Sequence, residues 1–310
     1  MYIKKTLAGL LAGLALCVGV AQAEEEQLTR EEIAEMVNNP LSYLWMLATQ
    51  NDTYFKEGDL QDADKMTVNR FTVMPVMPMQ LTDNYKLVFR PWFPFYSNKL
   101  PTEPVDFLAD RGSDAETKSG LGDIGFWAAI ASNEGAKPPF VYGFGITTMF
   151  DTAVSPKFGT GRNCAGPMGL AFYVGEKWIF GALVQHWWDY SGGGHSKTFL
   201  LPNGEEMTVQ SGHVNLTDVQ YVLRYRLTNE TNIGMGPNAS YNWETDDFLL
   251  PVGGGMDTMI HIGKLPVKVG AEFYYYVAHG SNDAFHNEWQ ARVFFVPILP
   301  SPKWSRKPIF

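Results

Sequence analysis

The chain is poor in cysteine, in charge and in long apolar runs, and each shortage closes off a class of protein. Its 310 residues hold two cysteines. Cys17 lies in an apolar N-terminal stretch, so Cys164 has no internal disulfide partner and a multi-cysteine metal site is excluded. Lys, Arg, Asp and Glu make up 18% of the residues, against about 25% in an ordinary soluble domain. What charge there is runs acidic, with 33 Asp and Glu against 24 Lys and Arg, which offers no basic patch to nucleic acid or to anionic lipid. Beyond the N-terminus, no segment supplies the ~20 consecutive apolar residues of a spanning helix.

Aromatics and glycine fill the space that charge leaves, at 14% and 30 residues. The first residues, "MYIKKTLAGLLAGLALCVGVAQA", place Lys4 and Lys5 before an apolar run and end on Ala21-Gln22-Ala23. That order predicts a secretory signal over 1–23, cleaved near Ala23. Leu16 stands where lipoprotein processing at Cys17 wants a small residue. Thr29 and Glu32 form a capping box, and Ile33, Met36 and Val37 a helical stripe that stops near Pro40, so 24–49 is expected to be a short periplasmic helical segment.

From residue 50 the helical period gives way to alternation. In "VKVGAEFYYYVAH" Val267, Val269, Ala271, Phe273, Tyr275 and Val277 share one parity and Lys268, Gly270, Glu272, Tyr274 and Tyr276 the other. A strand puts those sets on opposite faces, whereas a helix would mix them. Twelve such strands are expected, at 50–57, 66–80, 85–97, 120–132, 140–150, 162–174, 178–191, 213–227, 231–244, 248–262, 266–279 and 287–299. Most exceed the usual five or six residues of soluble sheets and suit a tilted membrane crossing of ~9–11. Short and long connections alternate, "TDD" near Asp246 excepted, as periplasmic turns and extracellular loops do in membrane barrels. The expected fold is therefore all-β: a single antiparallel up-and-down transmembrane barrel over 50–300 in a Gram-negative outer membrane, with a tail at 301–310.

Three stretches carry a resemblance: "SGLGDIGFWAAI" at 119–130, "PKFGTGRNCAGPMGLAFYVGEKWIFGALVQHWW" at 156–188 and "PNASYNWETDDFLLPVGGGMDTMIHIGKLPVKVGAEFYYY" at 237–276. With "NNPLSYLWMLATQND" at 38–52, they resemble a family of Gram-negative outer-membrane transporters sometimes labelled "neuromedin U" and related to the meta-pathway phenol degradation family. The resemblance implies a barrel with a transport role and a hydrophobic or aromatic solute, and supplies no catalytic residues. The tail "SPKWSRKPIF" departs from it. Barrel-assembly machinery is an expected partner, with either Phe310 or Phe294 and Phe295 as the aromatic signal.

The chemistry of the chain points inward. "GLGDIG" at 120–125 matches a dinucleotide fingerprint, but it leads into a strand and not a helix, so no cofactor is expected. His186, His195, His213, His261, His279 and His286 lack convergent metal-ligand spacing and read as surface or girdle residues. At lumen parity stand Lys86, Arg90, Asp123, Asp218, Arg224, Arg226, Glu244, Asp257, Lys268, Glu272 and Arg292, candidates either to line a selective wet passage or to bridge one another and fill it. The expected function is passage of small solutes across the outer membrane, with lipid around the barrel and no nucleic acid as a partner. Two alternatives stay open: an outer-membrane lipid or ester hydrolase, for which Ser191 with His195 and Ser211 with His213 are the near pairs, and a structural or adhesion barrel displaying the loops at 98–119 and 192–212.

Overall fold

Alternation becomes two faces of one wall. In β15 (Leu265–His279), Phe273, Tyr275 and Val277 point outward and are 49%, 39% and 56% exposed, while Glu272, Tyr274 and Tyr276 point inward and are at most 5% exposed. Large apolar side chains outside and buried polar ones inside invert a soluble core. Lipid is the solvent that stabilises such an exterior.

The computed structural model describes residues 44–58, 64, 66–99, 117–133, 139–194, 212–281 and 286–309, together with the backbone of 196–200 and 206–210. Among these lie sixteen strand segments: β1 Trp45–Glu57, β2 Thr67–Gln80, β3 Tyr85–Lys99, β4 Thr117–Leu121, β5 Gly125–Ser132, β6 Phe140–Met149, β7 Asn163–Val174, β8 Trp178–Ser191, β9 Ser196–Leu200, β10 Glu206–Gln210, β11 Asn215–Arg226, β12 Thr231–Met235, β13 Asn238–Asn242, β14 Asp247–Ile262, β15 and β16 His286–Leu299. β4 continues into β5 across residues 122–124, and β12 into β13 across Gly236-Pro237, while β9 and β10 pair only with each other as a hairpin. Twelve wall strands remain.

Every wall strand pairs antiparallel with its neighbours, β8 pairs with β11, and β1 pairs with β16, which closes the ring between the two ends of the chain. Closure satisfies the backbone groups that lipid cannot, and it removes edges. Both chain ends of the barrel and the turns at 81–84, 175–177, 227–230 and 263–264 sit at one rim, which the short turns mark as periplasmic. The ladder between β2 and β3 is interrupted from Val73↔Phe93 to Met77↔Phe89, where Pro75 and Pro91 lack the N–H it needs.

One boundary moves. The barrel begins at Trp45, so 45–49 are strand and not part of a helical segment; the expected helix at 29–37 lies outside the described residues, as does the signal. The tail folds back on the barrel, with a 3-10 turn at Lys303–Arg306 against β2. Trp304 meets Trp45 edge-on at 5.9 Å, and the Ile309 N–H donates to the Leu81 carbonyl at 3.1 Å.

Candidate functional site in the lumen

The lumen has two unlike sides. Register builds the charged one: Asp52 on β1 lies directly opposite Arg70 on β2 and Arg292 on β16, and Arg292 lies opposite Glu272 on β15. Directly opposed charges of unlike sign are the favourable cross-strand pair. Asp52, fully buried, accepts from Arg292 Nε at 2.7 Å, Gln290 at 2.8 Å, Gln50 at 2.6 Å and Arg70 at 3.0 Å.

From Glu272 the row passes through Gly255 on β14 and Gly234 on β12 to Arg224 on β11. Neither glycine has a side chain to obstruct the lumen face, so Arg224 lies across them and donates to Glu272 at 2.5 Å, 48 residues away. Arg224 also pairs with Asp257, which takes Lys268 at 3.0 Å and Asn232 at 2.8 Å. Tyr274 donates its hydroxyl to Glu272 at 2.5 Å. The result is an alternating chain, Arg70, Asp52, Arg292, Glu272, Arg224, Asp257, Lys268, in which each carboxylate meets at least two cations. Low-dielectric surroundings make such a chain rigid when every member is satisfied.

The facing side is apolar. Val88 of β3, Trp127, Ala129 and Ala131 of β5, Val141 of β6, Met168, Leu170 and Phe172 of β7 and Leu183 of β8 pack into one inward cluster with Val76. Gly143 and Gly145 keep β6 thin; a Cβ at Gly145 would collide with the Ala128 carbonyl. Above the cluster the polar atoms are mutually satisfied, with Trp187 donating to Thr147 at 3.1 Å and Thr147 to Gln185 at 2.9 Å. The bore is therefore largely filled by side chains on this side, as a twelve-strand barrel allows.

Most expected lumen residues stand where parity put them, with different partners. Arg224, Asp257, Lys268, Glu272 and Arg292 join the chain just described. Asp218 is inward and accepts from Asn238 at 2.8 Å. Lys86 is fully buried near the periplasmic rim. Arg226 faces a periplasmic cavity of about 810 Å³ lined also by Tyr173, Lys177, Trp178 and Asn229, and its Nε is buried without a partner. Arg90 lies between the two sides, its guanidinium 3.1 Å from the Met74 thioether and 5.8 Å from the Trp127 ring centre.

Asp123 and Glu244 depart from the expected lining. Glu244 sits exposed in the extracellular turn between β13 and β14, because that strand ends at Asn242. Asp123 occupies the break between β4 and β5 and holds an extracellular loop. Its carboxylate accepts from the backbone N–H groups of Thr152, Ala153 and Thr160 at 3.2, 3.1 and 2.7 Å. Gly120 and Gly122 leave the room that Val154 and Phe158 take, and Phe158 stacks on Tyr96 at 5.8 Å. The glycines of "GLGDIG" thus seat a loop in the barrel mouth.

Asp52, Arg70, Gln50 and Gln290 belong to the site and were not singled out by sequence. Their parity was visible; their convergence depends on β1 meeting β16, 240 positions away. For the hydrolase alternative, Ser191 receives a hydrogen bond from Asn163 at 3.1 Å, and His213 pairs with Asp189 at 3.0 Å. His195 and Ser211 lie outside the described residues. Among the described residues the hydroxyl that meets an imidazole is that of Thr217, 2.7 Å from His186 Nδ1 on the outer face, where Trp243 also donates to it at 2.9 Å. His279 and His286 stack across their hairpin at 3.7 Å, and no cluster of three metal-ligating side chains occurs among the described residues.

Neither a protein-family model nor a curated protein matches the chain. Among solved structures it is similar to an outer-membrane channel of Pseudomonas putida F1, with a TM-score of 0.52 and 14% identity over 82% of this chain and 96% of that one. The monoaromatic hydrocarbon channel CymD aligns at a TM-score of 0.48 with 8% identity, over 93% of this chain and 96% of that one. Outer membrane phospholipase A of Escherichia coli aligns at 0.40 with 12% identity, over 88% and 99%. At these identities the likeness to the Pseudomonas channel speaks for architecture, and the chain has the fold of a closed, twelve-stranded outer-membrane β-barrel.

Proposed function

We propose that the protein is an outer-membrane channel for small solutes with an apolar part, a reading supported by the likeness of its fold to the Pseudomonas channel and by the resemblance of the quoted motifs to an outer-membrane transporter family. The observation that carries this reading is the two-sided lumen. An alternating charged chain on β1, β2, β11 and β14–β16 faces an apolar cluster on β3 and β5–β8. A structural filler needs only one of these; a passage for molecules with both an apolar and a polar end uses both.

On this reading Lys86, Arg90, Asp218, Arg224, Arg226, Asp257, Lys268, Glu272 and Arg292 shape selectivity, Asp123 positions a mouth loop, and the chain is exported on its N-terminal signal and inserted by the barrel-assembly machinery. Full-length protein that shifts on an SDS gel after heating is the folded starting material. In planar bilayers it should give discrete conductance steps in KCl; folded protein that leaves the bilayer silent overturns the reading.

A second reading rests on the Thr217–His186 contact, a hydroxyl and an imidazole within reach on the outer face near the extracellular rim. It makes the protein an outer-membrane ester hydrolase. Hydrolysis of a short-chain nitrophenyl ester by the folded protein, abolished by Thr217→Val, would support it; equal rates in both proteins dismiss it.

A further inference from the structure

The lumen cations are not equivalent. Arg70 and Arg292 share Asp52, Arg224 is held by Asp257 and Glu272, and Lys268 is held by Asp257. Arg90 pairs with no carboxylate among the described residues. Its contacts are a thioether, a weak acceptor, and the face of Trp127, the residue directly opposite it on β5. A guanidinium carries five N–H donors in a planar fork, so most of that capacity is unused. Arg90 remains partly exposed to the lumen, with Val88 on its own strand buried in the apolar cluster. The other charged groups that act on it are Arg292 and, from the facing wall, Asp218. Asp218 stands beyond ion-pair reach and is engaged by Asn238.

We propose that the solute is a small organic acid with an aromatic or compact apolar body, and that Arg90 is the station that takes its carboxylate while the cluster around Trp127 takes its body. The inference rests on the channel reading above and names its substrate class. A planar fork matches a carboxylate with two parallel hydrogen bonds, which an ammonium cannot do. An uncharged hydrocarbon would use the apolar wall and leave the guanidinium without an acceptor. A sugar would satisfy the guanidinium and lose its own hydration against the apolar wall that the cluster and the partly buried Trp92 form. Only an acid with an apolar body satisfies both sides at once.

Block of single-channel current tests this, with sodium benzoate as probe and sodium acetate and benzyl alcohol as the charge-only and ring-only controls. In the wild-type protein benzoate should half-block KCl current at a concentration about tenfold below either control, since each control lacks one of the two contacts. Arg90→Gln, compared with its own unblocked KCl current, should lose that advantage of benzoate over the two controls, whereas Arg90→Lys should retain an intermediate value. Equal benzoate block in wild type and Arg90→Gln overturns the proposal, as does block by benzyl alcohol equal to that by benzoate. Should the folded protein carry no KCl current, the channel reading falls by itself. Tryptophan fluorescence in detergent still decides the site: a saturable response to benzoate, lost in Arg90→Gln, sustains it, and no response in the wild type refutes it.

Discussion

Asp52 is the residue whose loss should cost the barrel most. Asp52→Asn keeps shape and volume and removes one charge. It also replaces one acceptor oxygen by an NH2 that must face donors, since Gln50, Arg70, Gln290 and Arg292 all donate to this side chain. Breaking a buried ion pair from one side costs about 3–5 kcal/mol because the stranded charge stays buried. The two arginines divide that cost unequally. The Arg292 side chain is 3% exposed and keeps the Gly236 carbonyl at 2.7 Å but, of the carboxylates, only Glu272 at 3.7 Å, whereas that of Arg70 is 32% exposed and can turn to water. We therefore expect a loss near the lower end, about 3 kcal/mol, with Arg70→Gln costing about 1 kcal/mol or less.

Urea unfolding of the protein refolded into phospholipid vesicles, followed by tryptophan fluorescence, measures both. The double variant Asp52→Asn with Arg292→Gln should be less destabilised than the sum of its parts, because the second change removes the charge that the first strands. An Asp52→Asn barrel within about 1 kcal/mol of wild type would mean that lumen water carries these charges as it does at a surface. The two-sided lumen would then be a wide wet pore.

Other elements of the structure make their own predictions. Asp123→Ala removes the acceptor of three backbone N–H groups in the loop at 151–161, so trypsin added outside cells should cut after Lys157 in the variant and spare wild type; equal resistance would show that Phe158 stacking suffices. Gly145→Leu drives a side chain into the Ala128 carbonyl and should prevent pairing of β5 with β6, read as loss of the heat-dependent gel shift. Truncation after Pro300 removes the Trp304–Trp45 contact and the Ile309–Leu81 hydrogen bond and should lower stability by about 1–3 kcal/mol while the barrel still assembles. Failure to assemble would put the assembly signal in the tail and not at Phe294 and Phe295.

The strands were legible because lipid and lumen demand opposite chemistry of alternate residues, and long runs of that pattern have one reading. Interruptions were not. Residues 122–124 continue one parity on paper, yet the wall opens there to seat Phe158, and the cause is a loop more than thirty positions away. Glu244 shows the same limit at a strand end: its parity is inward, but the strand stops two residues earlier. The docked tail was hidden by its prolines, which exclude a strand and say nothing of a rim that Trp304 and Ile309 can cover.

Pairing within the lumen depends on register, and register on closure. Reading parity yields a set of inward charges with no order among them. The ring imposes one, because Asp52 acquires Arg70 from one neighbour and Arg292 from the other only when β1 stands between β2 and β16. Glycine completes it. Gly234 and Gly255 lie between Arg224 and Glu272 in the same row, and their missing side chains turn two separate pairs into one chain. Once that chain is drawn, the inward cations divide into those already neutralised and those that are not. A solute competing for Arg292 would have to displace a buried carboxylate held at 2.7 Å; one approaching Arg90 would displace only a thioether contact. The network thus leaves Arg90 as an inward cation with no carboxylate of its own among the described residues, and on the proposed reading substituting Arg90 should alter what passes while substituting Asp52 lowers the stability of the barrel.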